Sequence, residues 1–179
     1  PILGVVKAGA KEAAKVTKNG KIGVIATEST IESQLYTKEI HSHKPNAQVL
    51  GKPCPLFVPL VEEGWLKDPV TVEVANRYLE PLLESGIDTL IMGCTHYPLL
   101  VDIIAEILGP KVTLVSAGEE SAYELKRLLK SGGLWAGPAG QGGTEFYVSD
   151  RPEDFERIAS VFLQEDLRHT ARRIDIDQY

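Results

Sequence analysis

Between two segments of helical periodicity lies Asp88-Thr89-Leu90-Ile91-Met92, a short run closed by Gly93 whose last four positions carry no charge. A strand apolar on both sides cannot face water on either, so it predicts the interior of a parallel sheet with helices covering both faces. The preceding segment, Pro69–Leu83, places Val70, Val74, Tyr78 and Leu82 four residues apart and ends at Ser85-Gly86, as a helix with one buried stripe would. The following segment opens with Pro98 in its first turn and puts Leu100, Ile103, Ile104 and Ile107 on one side. Helix, buried strand, tight turn and helix form a unit that only a layered α/β architecture accommodates.

The same alternation runs through the chain. Strands are expected at Ile2–Val6, Lys21–Ala26, Gln48–Leu50, Asp88–Met92, Val112–Ser116 and Glu145–Val148. Helices are expected at Ala8–Thr17, Thr30–His41, Pro59–Trp65, Pro69–Leu83, Pro98–Leu108, Glu119–Leu129 and Pro152–Leu163, several of them opening on Pro or a Ser, Thr or Asp cap. The glycines at 132, 133, 137, 140, 142 and 143, with Pro138, mark a surface loop or linker. They are not a phosphate loop, because no Lys-Ser/Thr closes them and they stand between a helix and a strand.

Composition narrows the function. A net charge of -6 argues against tracking a nucleic-acid backbone, which draws on clustered Lys and Arg, and favours a small-molecule partner. No apolar run reaches bilayer length and no basic, apolar leader opens the sequence, so a cytoplasmic, membrane-independent protein is expected. Pro1, rather than Met, opens directly onto an apolar run, which suggests a fragment or a processed chain.

Two cysteines, Cys54 and Cys94, are too few for a disulfide framework, so each thiol needs its own explanation. Cys94 falls where a parallel strand gives way to a helix, the rim on which open α/β sheets bind ligands. Unpaired N–H groups and the positive end of the helix dipole favour thiolate there, and Thr95 and His96 add a hydroxyl and an imidazole. Such a thiolate can act as nucleophile, metal ligand or Brønsted base. Zinc is disfavoured, since the chain has no Cys-x-x-Cys and no His-x-x-x-His on a helix, and His41 and His43 read as a solvated helix end. A hydrolytic pair would have to draw on His169, far along the chain.

Gly93-Cys94-Thr95-His96-Tyr97-Pro98-Leu99-Leu100 resembles the second active-site motif of glutamate racemases, within the aspartate/glutamate racemase superfamily; aspartate racemases typically carry Glu where His96 stands. The likeness extends along the chain, through Pro1–Ala14, the strand Ile22–Thr27, Pro53-Cys54-Pro55-Leu56 with Val58–Glu62, and Ser116-Ala117-Gly118-Glu119-Glu120. The resemblance implies a flavodoxin-like α/β domain over residues 1–115, and over 116–179 the returning portion of a first, similar domain whose N-terminal half is missing. It implies cofactor-independent racemisation of L-glutamate to D-glutamate, for peptidoglycan, by two cysteines on opposite faces of the substrate.

By the same resemblance Cys94 is the base for L-glutamate, His96 assists its proton traffic and Thr95 hydrogen-bonds the substrate. Glu62 matches a family acidic residue near this cysteine; it would equally complement a helix dipole. Thr27 and Thr30 match a Thr-x-x-Thr pattern that reaches the substrate, though Thr30 would equally serve as an N-cap. No cofactor and no metal is implied, and a homodimer is left open.

The chain departs from the family in one respect. The Asp-Ser, Tyr-Gly and Asn-Thr elements of the first half-site are missing, and the Pro-Cys-Pro-Leu setting of Cys54 matches a noncatalytic segment, where a buried structural thiol is expected. The 179-residue chain is therefore expected to be nearly inactive alone. Two alternatives stay open: a one-cysteine isomerase or decarboxylase of the same superfamily, and a non-catalytic protein-binding module, since some family members inhibit DNA gyrase.

Overall fold

The computed structural model describes residues 2–137 and 143–178. Four strands, β1 (Lys21–Ala26), β2 (Gln48–Pro53), β3 (Thr89–Met92) and β4 (Thr113–Ser116), form one sheet in the order β2-β1-β3-β4, parallel throughout. All four β3 residues are buried, as are all of β1 after Lys21. In β3, Leu90 and Met92 enter one core while Ile91 enters the other, the period of two expected of a strand covered on both faces.

Helices α1 (Val5–Val16), α2 (Glu28–Glu32), α3 (Leu35–His43), α4 (Phe57–Glu62), α5 (Pro69–Glu84), α6 (Val101–Leu108) and α7 (Ala117–Ser131) surround the sheet. One core joins α4, α5 and α6 to Ile25, Leu90 and Met92. The other joins α1 and α3 to Ile22, Val24, Ile91 and Val115. This is the expected flavodoxin-like order with helices on both faces. Small residues make room at two close contacts. A Cβ on Gly23 would meet Leu90 Cδ1 of its neighbouring strand at 2.8 Å, and one on Gly9 of α1 would meet Ala117 Cβ of α7 at 3.1 Å.

Several local expectations change. Ile2–Val6 is not a strand: Ile2 is fully exposed, and Val5 and Val6 open α1. Val6 stands at helical spacing from Ala10 and Ala13 in the same core, so the helical stripe absorbs it. The helix expected at Thr30–His41 is two helices, because Gln34 between them adopts the left-handed conformation at φ 54°. α4 starts two residues and ends three residues before expectation, anchored by buried Phe57 and ended near Gly64 at φ 76°. In α5 the buried stripe is Thr71, Ala75, Leu79 and Leu82. Val70 is half exposed and Val74 and Tyr78 pack at the core's edge, while Asp68 caps the helix through Val70 N–H at 2.8 Å.

The N-terminal edge of the sheet is held by Asp88. Its carboxylate accepts from Thr17 Oγ1 (2.6 Å), Lys18 N (2.7 Å), Asn19 N (2.6 Å) and Thr89 Oγ1 (2.9 Å), which ties the loop before β1 to the start of β3.

The first compact unit runs to Trp135 and includes α7, which opens on a Ser116 cap and packs against α1. The second, from Ala136, contains β5 (Phe146–Val148), α8 (Pro152–Leu163) and β6 (Ala171–Arg173), with β5 and β6 parallel. In it the Glu156 carboxylate accepts His169 N–H at 3.0 Å and Ala171 N–H at 2.8 Å, leading the chain into β6. These amide bonds outweigh desolvation and hold Glu156 below the usual carboxylate range. Of the glycine-rich loop, residues 138–142 lie outside the described residues. Among the described residues no helix is long and apolar enough to cross a membrane.

Candidate active site

The chain leaves β1 toward β2 on one side and β3 toward β4 on the other, so the connections at the C-terminal ends of β1 and β3 diverge. Such a divergence opens the crevice where α/β sheets of this order bind ligands. Two groups of expected site residues stand at it. Thr27 and Thr30 follow β1, and Cys94, Thr95 and His96 follow β3.

Gly93 carries the chain from β3 to Cys94. Its N–H extends the sheet ladder to Ile25 O at 2.8 Å. A Cβ here would lie 3.0 Å from Tyr36 Cε2, 3.1 Å from Ile25 O and 3.2 Å from Ala26 Cβ, and the carbonyl cannot yield, so the turn requires glycine. Cys94 then emerges half-buried, and Tyr97 N–H to Cys94 O at 3.3 Å closes the turn into a 3₁₀ segment, Tyr97–Leu100, that feeds α6.

His96 joins the thiol to a carboxylate. Its Nδ1 is 4.0 Å from Cys94 Sγ and 3.3 Å from Thr95 Oγ1, while its Nε2 is 3.3 Å from Glu62 Oε1 at the end of α4. The His96 side chain is 22% exposed and Glu62 46%, so the array opens to solvent at the carboxylate end. With the proton on Nε2 facing Glu62, Nδ1 presents a lone pair to the thiol; transfer of the S–H proton to it leaves thiolate beside an imidazolium that Glu62 stabilises. Cys94, Thr95, His96 and Glu62 thus form one connected chain of groups.

At the neighbouring strand end Thr27 Oγ1 lies 3.0 Å from Thr30 Oγ1 and 3.4 Å from Ser29 Oγ. Thr27 holds the N-cap position of α2 and Thr30 lies inside the helix, so the N-cap reading of Thr30 does not hold. Ser29 is a member of this hydroxyl cluster that sequence reasoning missed, since it belongs to no motif and only the short α2 turns it toward Thr27.

Cys54 differs. It follows β2, is wholly buried, and donates its thiol to Lys52 O at 3.5 Å. Burial pushes its pKa up to about 12, with the Lys52 cation only partly offsetting. It stays a thiol. Burial likewise pushes Tyr36 up to about 12, reinforced by charge on Cys94, and raises Tyr97, so both phenols stay protonated. His41 and His43 lie on the exposed end of α3, against Ala47 O (2.9 Å) and Glu39 (3.7 Å).

Residues 1–123 match the sequence pattern of the Asp/Glu/hydantoin racemase family. The chain is 45% identical over 163 residues to the glutamate racemase of Geobacter metallireducens, covering 91% of this chain and 60% of that protein. It is 42% identical over 178 residues to the glutamate racemase of Thermoanaerobacter pseudethanolicus, covering 99% and 67%. Its fold superposes on a glutamate racemase isoform of Bacillus anthracis with a TM-score of 0.90 at 37% identity, covering 98% of this chain and 65% of that one. The Francisella tularensis glutamate racemase in complex with D-glutamate gives 0.88 at 34% identity, covering 100% and 65%. The chain thus spans about 60% of the length of the curated relatives it matches. On the family pattern over residues 1–123, and with a likeness to a solved glutamate racemase that covers 98% of this chain, the chain belongs to the Asp/Glu/hydantoin racemase family.

Proposed function

We propose that this chain supplies one half-site of a cofactor-independent glutamate racemase, in which Cys94 removes the α-proton of L-glutamate. The observation that carries the reading is the connected array at the sheet's switch point: Cys94 Sγ, His96 and Glu62 in sequence, at 4.0 and 3.3 Å. An amino-acid α-hydrogen is very weakly acidic, so the thiolate has to act from a partly desolvated position. Fixed donors must also hold the substrate carboxylate as negative charge builds. Cys94 is half-buried, which suits the first need. Thr95 and the Thr27–Thr30 pair are the donors for the second. His96 takes and returns the Cys94 proton, with Glu62 stabilising the imidazolium.

A two-thiol reaction needs a second cysteine on the opposite face of the substrate. The sequence holds only one other, Cys54, and it is buried and protonated. The opposing thiol therefore comes from a segment outside these 179 residues. We infer the matching organisation: residues 1–115 as the central domain carrying the Cys-Thr-His site, and 116–179 as the returning part of a first domain, entered through α7. A cytoplasmic location suits two free thiols, and D-glutamate for peptidoglycan is the product. The homodimer left open by the sequence stays part of this proposal.

The experiment follows the α-hydrogen of L-glutamate in D2O by NMR. We expect solvent exchange that Cys94→Ser removes, with little conversion to D-glutamate by the 179-residue chain alone. Conversion at the rate of a full-length racemase would overturn the two-thiol reading. The buried state of Cys54 also favours a second reading, a relative working with Cys94 alone, and exchange on malonate-type acids in place of glutamate would select it.

A further inference from the structure

The proposed chemistry uses Cys94, Thr95 and His96 and gives the next residue, Tyr97, no task. Yet Tyr97 heads the fully buried side chains of the molecule by size. A phenol so deep needs a partner for its hydroxyl, and the partner is informative: Tyr97 OH donates to the carbonyl of Cys54 at 2.9 Å. The same carbonyl accepts Phe57 N–H at 3.2 Å, where α4 begins. One oxygen at the end of β2 thus uses both lone pairs to join the Cys94 turn to the helix that ends in Glu62. The rings repeat the connection. Tyr97 meets Phe57 edge-to-face at 5.1 Å and 87°.

We propose that Tyr97 is a positioning residue that sets Glu62 in register with His96, by locking the turn that carries Cys94 and the helix that carries Glu62 into one packed body through the Cys54 carbonyl and the Phe57 ring. The two ends of the 3.3 Å His96–Glu62 contact sit on separate elements, one following β3 and one following β2, so their register depends on what joins those elements. Desolvation keeps the phenol protonated, so it remains a donor. The geometry also gives Cys54 a place in the site that does not involve its sulfur: its carbonyl is the junction, and its thiol fills the core beside it.

The inference rests on the proposed role of Cys94, but its test reads thiol reactivity rather than turnover, so it can fail while the deuterium-exchange result stands, and the reverse. Cys94 is labelled with iodoacetamide at neutral pH in the native 179-residue chain and followed by mass spectrometry, in the parent, Tyr97→Phe, Glu62→Gln and the double variant. A carboxylate on His96 favours the imidazolium, and the imidazolium favours thiolate, so both single substitutions slow labelling, by about threefold or more. If Tyr97 acts through Glu62, the double variant is no slower than Glu62→Gln alone. A merely structural tyrosine would lower the melting temperature and leave the labelling rate unmoved. A parent-like rate in either single variant, or additive slowing in the double, overturns the proposal. If Tyr97→Phe fails to melt cooperatively, Phe57→Leu takes its place in the same cycle, because it removes the ring contact and leaves the hydroxyl bond.

Discussion

Cys54 and Cys94 sit just past the C-terminal ends of two strands of the same sheet, β2 and β3, and share little else. Both strand ends point to the rim where α/β proteins do chemistry. Cys54 is flanked by prolines, roofed by Phe57 and Tyr97, and protonated by desolvation. Cys94 follows a glycine that lets the backbone pass tightly over Tyr36, stays half-buried, and meets an imidazole. Position at the rim is therefore not sufficient. What separates Cys94 from Cys54 is an imidazole within reach and a path to solvent.

The largest expected effect tests that contrast directly. In the native chain iodoacetamide should label Cys94 faster than Cys54 by more than about a hundredfold, since the thiolate is the nucleophile and Cys54 is held as a thiol. Peptide mapping after a timed pulse gives the ratio, and comparable labelling of both sites would erase the distinction. Next in size, His96→Asn keeps a polar side chain but loses the imidazole. We expect α-hydrogen exchange on L-glutamate to fall by roughly 100-fold with the melting temperature nearly unchanged, because a positioned acid–base group contributes on that scale.

Cys54→Ala should do the opposite. It removes a buried sulfur from a packed core but leaves the backbone carbonyl that Tyr97 and Phe57 share. A loss of about 2 kcal/mol in urea unfolding, with exchange at Cys94 retained, is the expected pattern. Loss of exchange in a folded Cys54→Ala protein would mean that the buried thiol does more than fill space.

The sequence made the architecture readable because burial writes itself as pattern: β3, apolar throughout, announces a doubly covered strand, and β1 and β4 appear within a residue or two of expectation. The candidate site was readable in part for a local reason. Cys94, Thr95 and His96 are consecutive, so a turn that exposes one brings the others along. Glu62 was readable only through the family resemblance, and its contact with His96 joins α4 to the turn after β3, a relation between distant segments that no periodicity encodes. The break at Gln34 was hidden because a left-handed glutamine carries no glycine-like signal. β6, Ala171-Arg172-Arg173, was invisible for a related reason: it is formed by pairing with β5 and by Glu156 accepting the Ala171 amide, and its own residues are not strand-like.

The opposite end of β3 gives the smallest effect. Asp88 opens the strand that Cys94 follows, and its carboxylate stays ionised for the sake of structure. Partial burial raises its pKa, but hydrogen bonds from Thr17, Asn19, Thr89 and Lys18 outweigh that, and the net shift is downward. A carboxyl whose folded pKa lies below its unfolded one contributes stability that is fully present above the unfolded value, about pH 4, and that is lost as pH falls through the lower folded value. Asp88→Asn keeps one acceptor oxygen and cannot satisfy four donors, so it should cost about 1 kcal/mol at pH 7. The gap between parent and variant should begin to narrow as urea titrations move below about pH 4, where the unfolded parent takes up a proton first, and should close as pH falls through the lower folded value. A gap that stays constant from neutral pH into acid would mean that Asp88 holds the sheet edge by shape, and that the charge at this end of β3 is as idle as the thiol of Cys54.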